Sequence, residues 1–122
     1  MSPASASSFY SVVVDAADPK ALAQFWSAVL DHPIVFEDEA GEEVAVAKDN
    51  DTPPALLFVR SQDAKTVKNR IHIDLNPTDQ GAEVERVLAL GATRVDIGQT
   101  GEEPWVVLAD PEGNEFCVLT AR

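Results

Sequence analysis

The strongest constraint on this 122-residue chain is that its pattern of elements occurs twice. Repetition on this scale decides a fold once it is seen. Phe9–Asp15 (FYSVVVD) is rich in aromatic and β-branched residues and reads as a strand. Asp18-Pro19 supplies an N-cap and a proline at the first helical position. Leu22, Phe25, Trp26, Val29 and Leu30 then recur at helical spacing, and Pro33 ends the run. Three short strands follow, Ile34–Glu37, Val44–Ala47 and Ala55–Val59. The order then begins again. Arg70–Leu75 (RIHIDL) is a strand, and Asp79 caps a helix with Val84, Val87 and Leu88 on one face. Gly91 sits where a helix-ending glycine belongs. Arg94–Ile97, Trp105–Ala109 and Glu115–Thr120 are three more strands. The halves match at offsets of 59 to 62 residues, with VVVD (12–15) set against IHID (71–74) and LLFVR (56–60) against FCVLT (116–120). The expected class is α+β, as two βαβββ modules over about 9–60 and 70–121, in one domain spanning 9–122. The Ser/Ala/Pro-rich Met1–Ser8 reads as a flexible tail.

Charge narrows the partners. Nine Lys+Arg against 21 Asp+Glu give a net charge of −12. Such a surface repels phosphate, which argues against nucleic acid and against anionic membrane. No apolar run approaches the ~20 residues of a spanning helix, and the N-terminus lacks the basic and apolar regions of a signal peptide. One cysteine, Cys117, excludes an internal disulfide and a CxxC metal knuckle. The expected location is the cytoplasm.

Paired βαβββ modules resemble the vicinal oxygen chelate superfamily, which includes glyoxalase I, bleomycin-resistance proteins and extradiol dioxygenases. VVVDAADPKALAQFW (12–26), KNRIHIDL (68–75) and ADPEGNEFCVL (109–119) are similar to the glyoxalase-like domains of small bacterial proteins, and the resemblance runs from Phe9 to Thr120. It implies cupped mixed sheets around a central cavity. In metal-dependent members, one inward position on the first strand and one on the last strand of each module hold a divalent ion through His and Glu. Those positions here read Ser11, Leu57, His72 and Cys117, with Val13 replacing Ser11 if VVVD is matched to IHID and Phe58 replacing Leu57 on a one-residue slip. Only His72 is a standard ligand, and a His/Cys pair without further donors makes a poor site. The expectation is therefore no metal and no cofactor.

Strand alternation sorts the remaining side chains. Tyr10, Val12 and Val14 are expected on the helix side with Ile71, Ile73 and Leu75. Ser11, Asp15, Arg70, His72 and Asp74 are expected in the cup, beside Leu57 and Cys117, with Trp105 placed to stack a flat ligand. The leading expectation is a protein that binds a small molecule without metal, as in the bleomycin-resistance branch. Its ligand-binding residues are Ser11, Asp15, Leu57, Arg70, Trp105 and Cys117. The alternative is a lyase, isomerase or hydrolase using His72 with Asp74 or Asp15 as catalytic residues, or a metal-dependent glyoxalase or dioxygenase. For the aspartates and His72 a purely structural role stays open. A homodimer is an expected assembly beside closure of the cup within one chain.

Overall fold

The computed structural model describes residues 6–95 and 103–122. The chain divides into two compact units, Met1–Ser61 and Gln62–Arg122. Each is one βαβββ module with an open four-stranded mixed sheet.

In the first unit, strand β1 (Ser11–Ala16) leads to helix α1 (Pro19–Leu30), and β2 (Ile34–Glu37), β3 (Glu43–Val46) and β4 (Ala55–Arg60) complete a sheet of order β1-β4-β3-β2. The Asp18 carboxylate accepts the Ala21 N–H at 3.1 Å, and Pro19 occupies the first turn. The helix ends at Leu30, where Asp31 adopts a left-handed conformation (φ 54°), two residues before Pro33. Leu22, Phe25, Trp26 and Val29 are buried on one face of α1, which packs mainly on β3 and β4. Phe58, Val44 and Val46 are almost fully buried beneath it.

The second unit repeats the plan with β5 (Ile73–Leu75), α2 (Gln80–Leu90), β6 (Thr93–Arg94), β7 (Trp105–Ala109) and β8 (Glu115–Leu119), in the order β5-β8-β7-β6. Asp79 caps α2 through the Ala82 N–H at 3.0 Å, and Gly91 ends it at φ 125°. Val84 and Val87 are buried as expected, whereas Leu88 is half-buried. Of the expected strand Arg94–Ile97, Asp96 and Ile97 lie outside the described residues.

The turn Asp110–Asn114 closes the β7–β8 hairpin. One buried carboxylate oxygen of Asp110 takes the N–H groups of Glu112 (2.9 Å) and Asn114 (3.0 Å), and Gly113 supplies the positive φ of 89°. Ile73 pairs with Phe116 at the start of the parallel ladder, and the chain ahead of it is tied to a side chain instead, the Asn69 N–H donating to the Glu115 carboxylate at 3.1 Å. Strand β5 is three residues long rather than the six of Arg70–Leu75, and Ile71, expected against the helix, is 81% exposed. In the first unit, Ser11 pairs with Ala55, and the Ala55 N–H closes this end of the ladder on the Tyr10 carbonyl at 3.0 Å. Strand β1 starts at Ser11, and the Tyr10 side chain, expected on the helix side, is exposed.

Candidate functional site

In the second unit, Asp74 pairs with Cys117, and Cys117 with Val107, so these side chains share the sheet face that does not carry α2. His72, two residues before Asp74, joins them. Its Nδ1 lies 3.1 Å from Asp74 Oδ1 and 3.9 Å from Cys117 Sγ. His72 and Asp74 are exposed, whereas Cys117 is buried. Burial pushes the Cys117 thiol above its ordinary value, and both the charge of Asp74 and a hydrogen bond to that carboxylate push the same way. Lys68 acts in the opposite direction without reversing this. Cys117 is thus held as a thiol, which is a weak nucleophile.

The register fixes which residues of the first unit answer this group. Val13 pairs with Leu57 as Asp74 pairs with Cys117. Ser11 therefore corresponds to His72, Val13 to Asp74 and Leu57 to Cys117. Counting from the helix-entry aspartates gives this alignment. Setting VVVD against IHID is two residues off, because Asp15 then answers Asn76 rather than Asp74.

Where the second unit carries these donors, the first carries a cavity of about 360 Å³, within the usual size of small-molecule sites. Its floor is Ser11, Leu57 and three alanines, Ala45, Ala47 and Ala55. These small side chains on the helix-free face leave the volume empty. Tyr10, Val35 and Phe36 add to the lining. Val35 and Phe36 are neighbours, yet both reach the cavity because the β2–β3 register slips between Ile34 and Phe36. A bulge of this kind breaks strict alternation. The remaining lining is Glu43 and the loop Asp49–Pro53. That loop folds on Asp49, whose carboxylate accepts the Asp51 N–H at 2.8 Å. A hydrogen bond from the Thr52 side chain, and then that from Asp51, hold the Asp49 carboxyl below its ordinary value.

The other candidate residues are more scattered. Asp15 shares the strand face of Ser11 and Val13 but is exposed and lies outside the cavity lining. Arg70 is exposed, three residues ahead of β5, and among the described residues forms no ion pair with Asp74. Trp105 is 40% exposed; its pairing with Leu119 puts it on the Cys117 face of its sheet, one side-chain position from Val107. Sequence reasoning missed Tyr10, Phe36, Glu43 and the 49–53 loop. The only signal for the loop was its length against the compact Asp110–Asn114 turn, since both precede the last strand of a module.

His72, Asp74 and Cys117 each offer a ligand atom, and these atoms lie within 4.8 Å of one another. The set nevertheless differs from the His/Glu centre of metal-dependent relatives. The first-unit positions are a hydroxyl and an isobutyl group, Ser11 and Leu57. Cys117 must lose its proton to ligate, which its burial and Asp74 oppose. Asp74 already engages His72 Nδ1. The residues present do not fit that centre.

A family model described as a glyoxalase-like domain matches residues 11–119. No curated protein gives a significant sequence match. Among solved structures, a glyoxalase/bleomycin resistance protein/dioxygenase family enzyme from Burkholderia phytofirmans PsJN is similar at a TM-score of 0.68 and 18% identity, covering 92% of this chain and 97% of that one. A possible glyoxalase from Bacillus cereus gives 0.68 at 14% identity, covering 93% and 99%. The trypanothione-dependent glyoxalase I of Leishmania major gives 0.65 at 12% identity, covering 94% and 87%. At these identities the likeness concerns the fold, and activity has to be argued from the site.

Proposed function

Because the chain belongs to the glyoxalase-like domain family, we propose that it binds a small organic molecule in the first-unit cavity without a metal ion. One observation carries the reading. The strand positions that hold His72 and Cys117 in the second unit hold Ser11 and Leu57 in the first, and there they floor a cavity of about 360 Å³. Its lining is mostly apolar with a few polar groups, the usual make-up of a binding site. A ligand that binds only the folded chain raises the melting temperature by mass action. A panel of small organic compounds in EDTA is therefore expected to yield stabilising hits that Ala45→Leu, which fills the cavity, removes. A panel without hits at millimolar concentration contradicts the reading. The metal-free part has its own test. Purified protein is expected to hold no stoichiometric Ni, Zn, Fe or Mn, and His72→Ala to leave metal content unchanged. One ion per chain, lost in His72→Ala, restores a metal-dependent enzyme.

The His72–Asp74 contact favours a second reading, acid–base chemistry of a lyase, isomerase or hydrolase type. A carboxylate 3.1 Å from Nδ1 favours the proton on that nitrogen and leaves Nε2 to take one from a substrate. Turnover that is lost in His72→Ala and reduced in Asp74→Asn at unchanged stability supports it. Turnover that survives His72→Ala excludes it.

A further inference from the structure

The charge and aromatic character of the cavity lining point to a chemical class of ligand. We infer that the first-unit cavity selects an organic cation, a protonated amine on an apolar or aromatic body; this rests on the small-molecule reading above.

Three acidic residues, Glu43, Asp49 and Asp51, line the cavity, and among the described residues neither Lys nor Arg does. Three of the four other acids between Glu37 and Asp51 have different work, and the fourth, Glu39, is not part of the lining. Glu37 pairs with Lys20 and Glu42 with Arg60, while Asp38 accepts the N–H groups of Glu42 and Glu43. Among the described residues, Glu43 and Asp51 form no ion pair. Both are exposed, so an arriving cation finds their charge uncompensated by a neighbouring base. Lys48 stands next to Asp49 in sequence but is not part of the lining. Asp49 is the structural member of the three, tied by the Asp51 N–H and Thr52, and its charge adds to the field.

Tyr10 and Phe36 supply the second half of the recognition. They are 78% and 50% exposed, and both line the cavity. Aromatic rings attract cations through their negative faces and also cover flat apolar bodies. The apolar floor of Leu57 and the alanines accepts the body of the ligand, and the acids receive its head. The net charge of −12 steers cations toward the chain and anions away. A carboxylate or phosphate ligand meets no complementary charge in this lining.

Three probes that share one body and differ in the head test this: 4-phenylbutylamine, 4-phenylbutanol and 4-phenylbutanoate, titrated into the full chain by isothermal calorimetry at low and high salt. The amine is expected to bind about tenfold more tightly than the alcohol, and the carboxylate more weakly than either. Added salt is expected to narrow the gap. In Glu43→Gln/Asp51→Asn, which changes only exposed side chains, the amine-to-alcohol ratio is expected to fall to about one. An alcohol or carboxylate that binds as tightly as the amine overturns the inference while leaving the cavity as a binding site. Failure of all three probes overturns the small-molecule reading and the inference with it.

Discussion

Trp26→Ala probes the part of the fold that holds the first-unit sheet in shape. Trp26 is 3% exposed on the buried face of α1, and its ring meets Phe25 edge-on, with centroids 5.3 Å apart at 89°. A buried tryptophan removes ~150–250 Å² from water, which at ~25 cal/mol per Å² is ~4–6 kcal/mol as an upper bound. Alanine keeps a small part of that burial, so the expected loss is about 4 kcal/mol, inside the range of ~3–5 for Trp→Ala in cores. Phe25→Leu keeps most of the area and removes the ring pair, and is expected to cost about 1 kcal/mol from that term. Urea melts followed by circular dichroism read both. With a slope of about 2 kcal/mol/M, Trp26→Ala moves the midpoint down by about 2 M. The variant also leaves Trp105, 40% exposed, as the sole tryptophan, so the native emission shifts to the red. A loss under about 1 kcal/mol, or an unchanged emission maximum, refutes the packing argument.

Two further predictions concern the second unit. Cys117 is expected to react with iodoacetamide at pH 8 more slowly than a free thiol, because burial and Asp74 hold it protonated; Asp74→Asn is expected to speed the reaction, and an unchanged rate contradicts the electrostatic part. Glu115 is buried and takes the Lys65 ammonium at 2.5 Å and the Asn69 N–H at 3.1 Å. Burial raises its carboxyl pKa, but the hydrogen bonds from Lys65 and then Asn69 outweigh that and hold it below the ordinary 4.5. A lowered carboxylate contributes stability that is present above its unfolded pKa and lost as pH falls through the folded one. Acid melts of Glu115→Gln are therefore expected to be flatter below about pH 4.5 than those of the parent. Lys65→Met, which strands the buried carboxylate, is expected to cost about 1–3 kcal/mol at pH 7. Parallel acid curves for parent and Glu115→Gln contradict this account.

Local chemistry made the architecture legible. Asp18 and Asp79 cap their helices through side-chain contacts that depend only on neighbours in sequence, and both helices run over the expected residues, Pro19–Leu30 and Gln80–Leu90. Apolar spacing gave the buried face of α1 for the same reason. The errors arose where a distant partner decides. Pairing with β4 begins at Ser11 and pairing with β8 at Ile73, so Tyr10 and Ile71 precede the paired residues of their strands. No local signal in FYSV or RIHI carries that information. The cavity was hidden for a related cause. Alternation assigns Val35 and Phe36 to opposite faces, and only the β2–β3 register reveals the bulge that brings both to one site. Alternation in RIHIDL put His72 and Asp74 on the cup side with Cys117, whereas their lying within 4.8 Å of one another follows from the parallel register of β5 and β8.

The central claim is that a small organic molecule occupies the first-unit cavity with no metal involved. It is tested most directly by amide chemical-shift mapping of EDTA-treated protein titrated in turn with 4-phenylbutylamine, 4-phenylbutanol and 4-phenylbutanoate. The account predicts saturable shifts centred on Ser11, Ala45 and Leu57. Absence of shifts there with all three, or shifts that appear only after a divalent ion is added and centre on His72, Asp74 and Cys117, would contradict it.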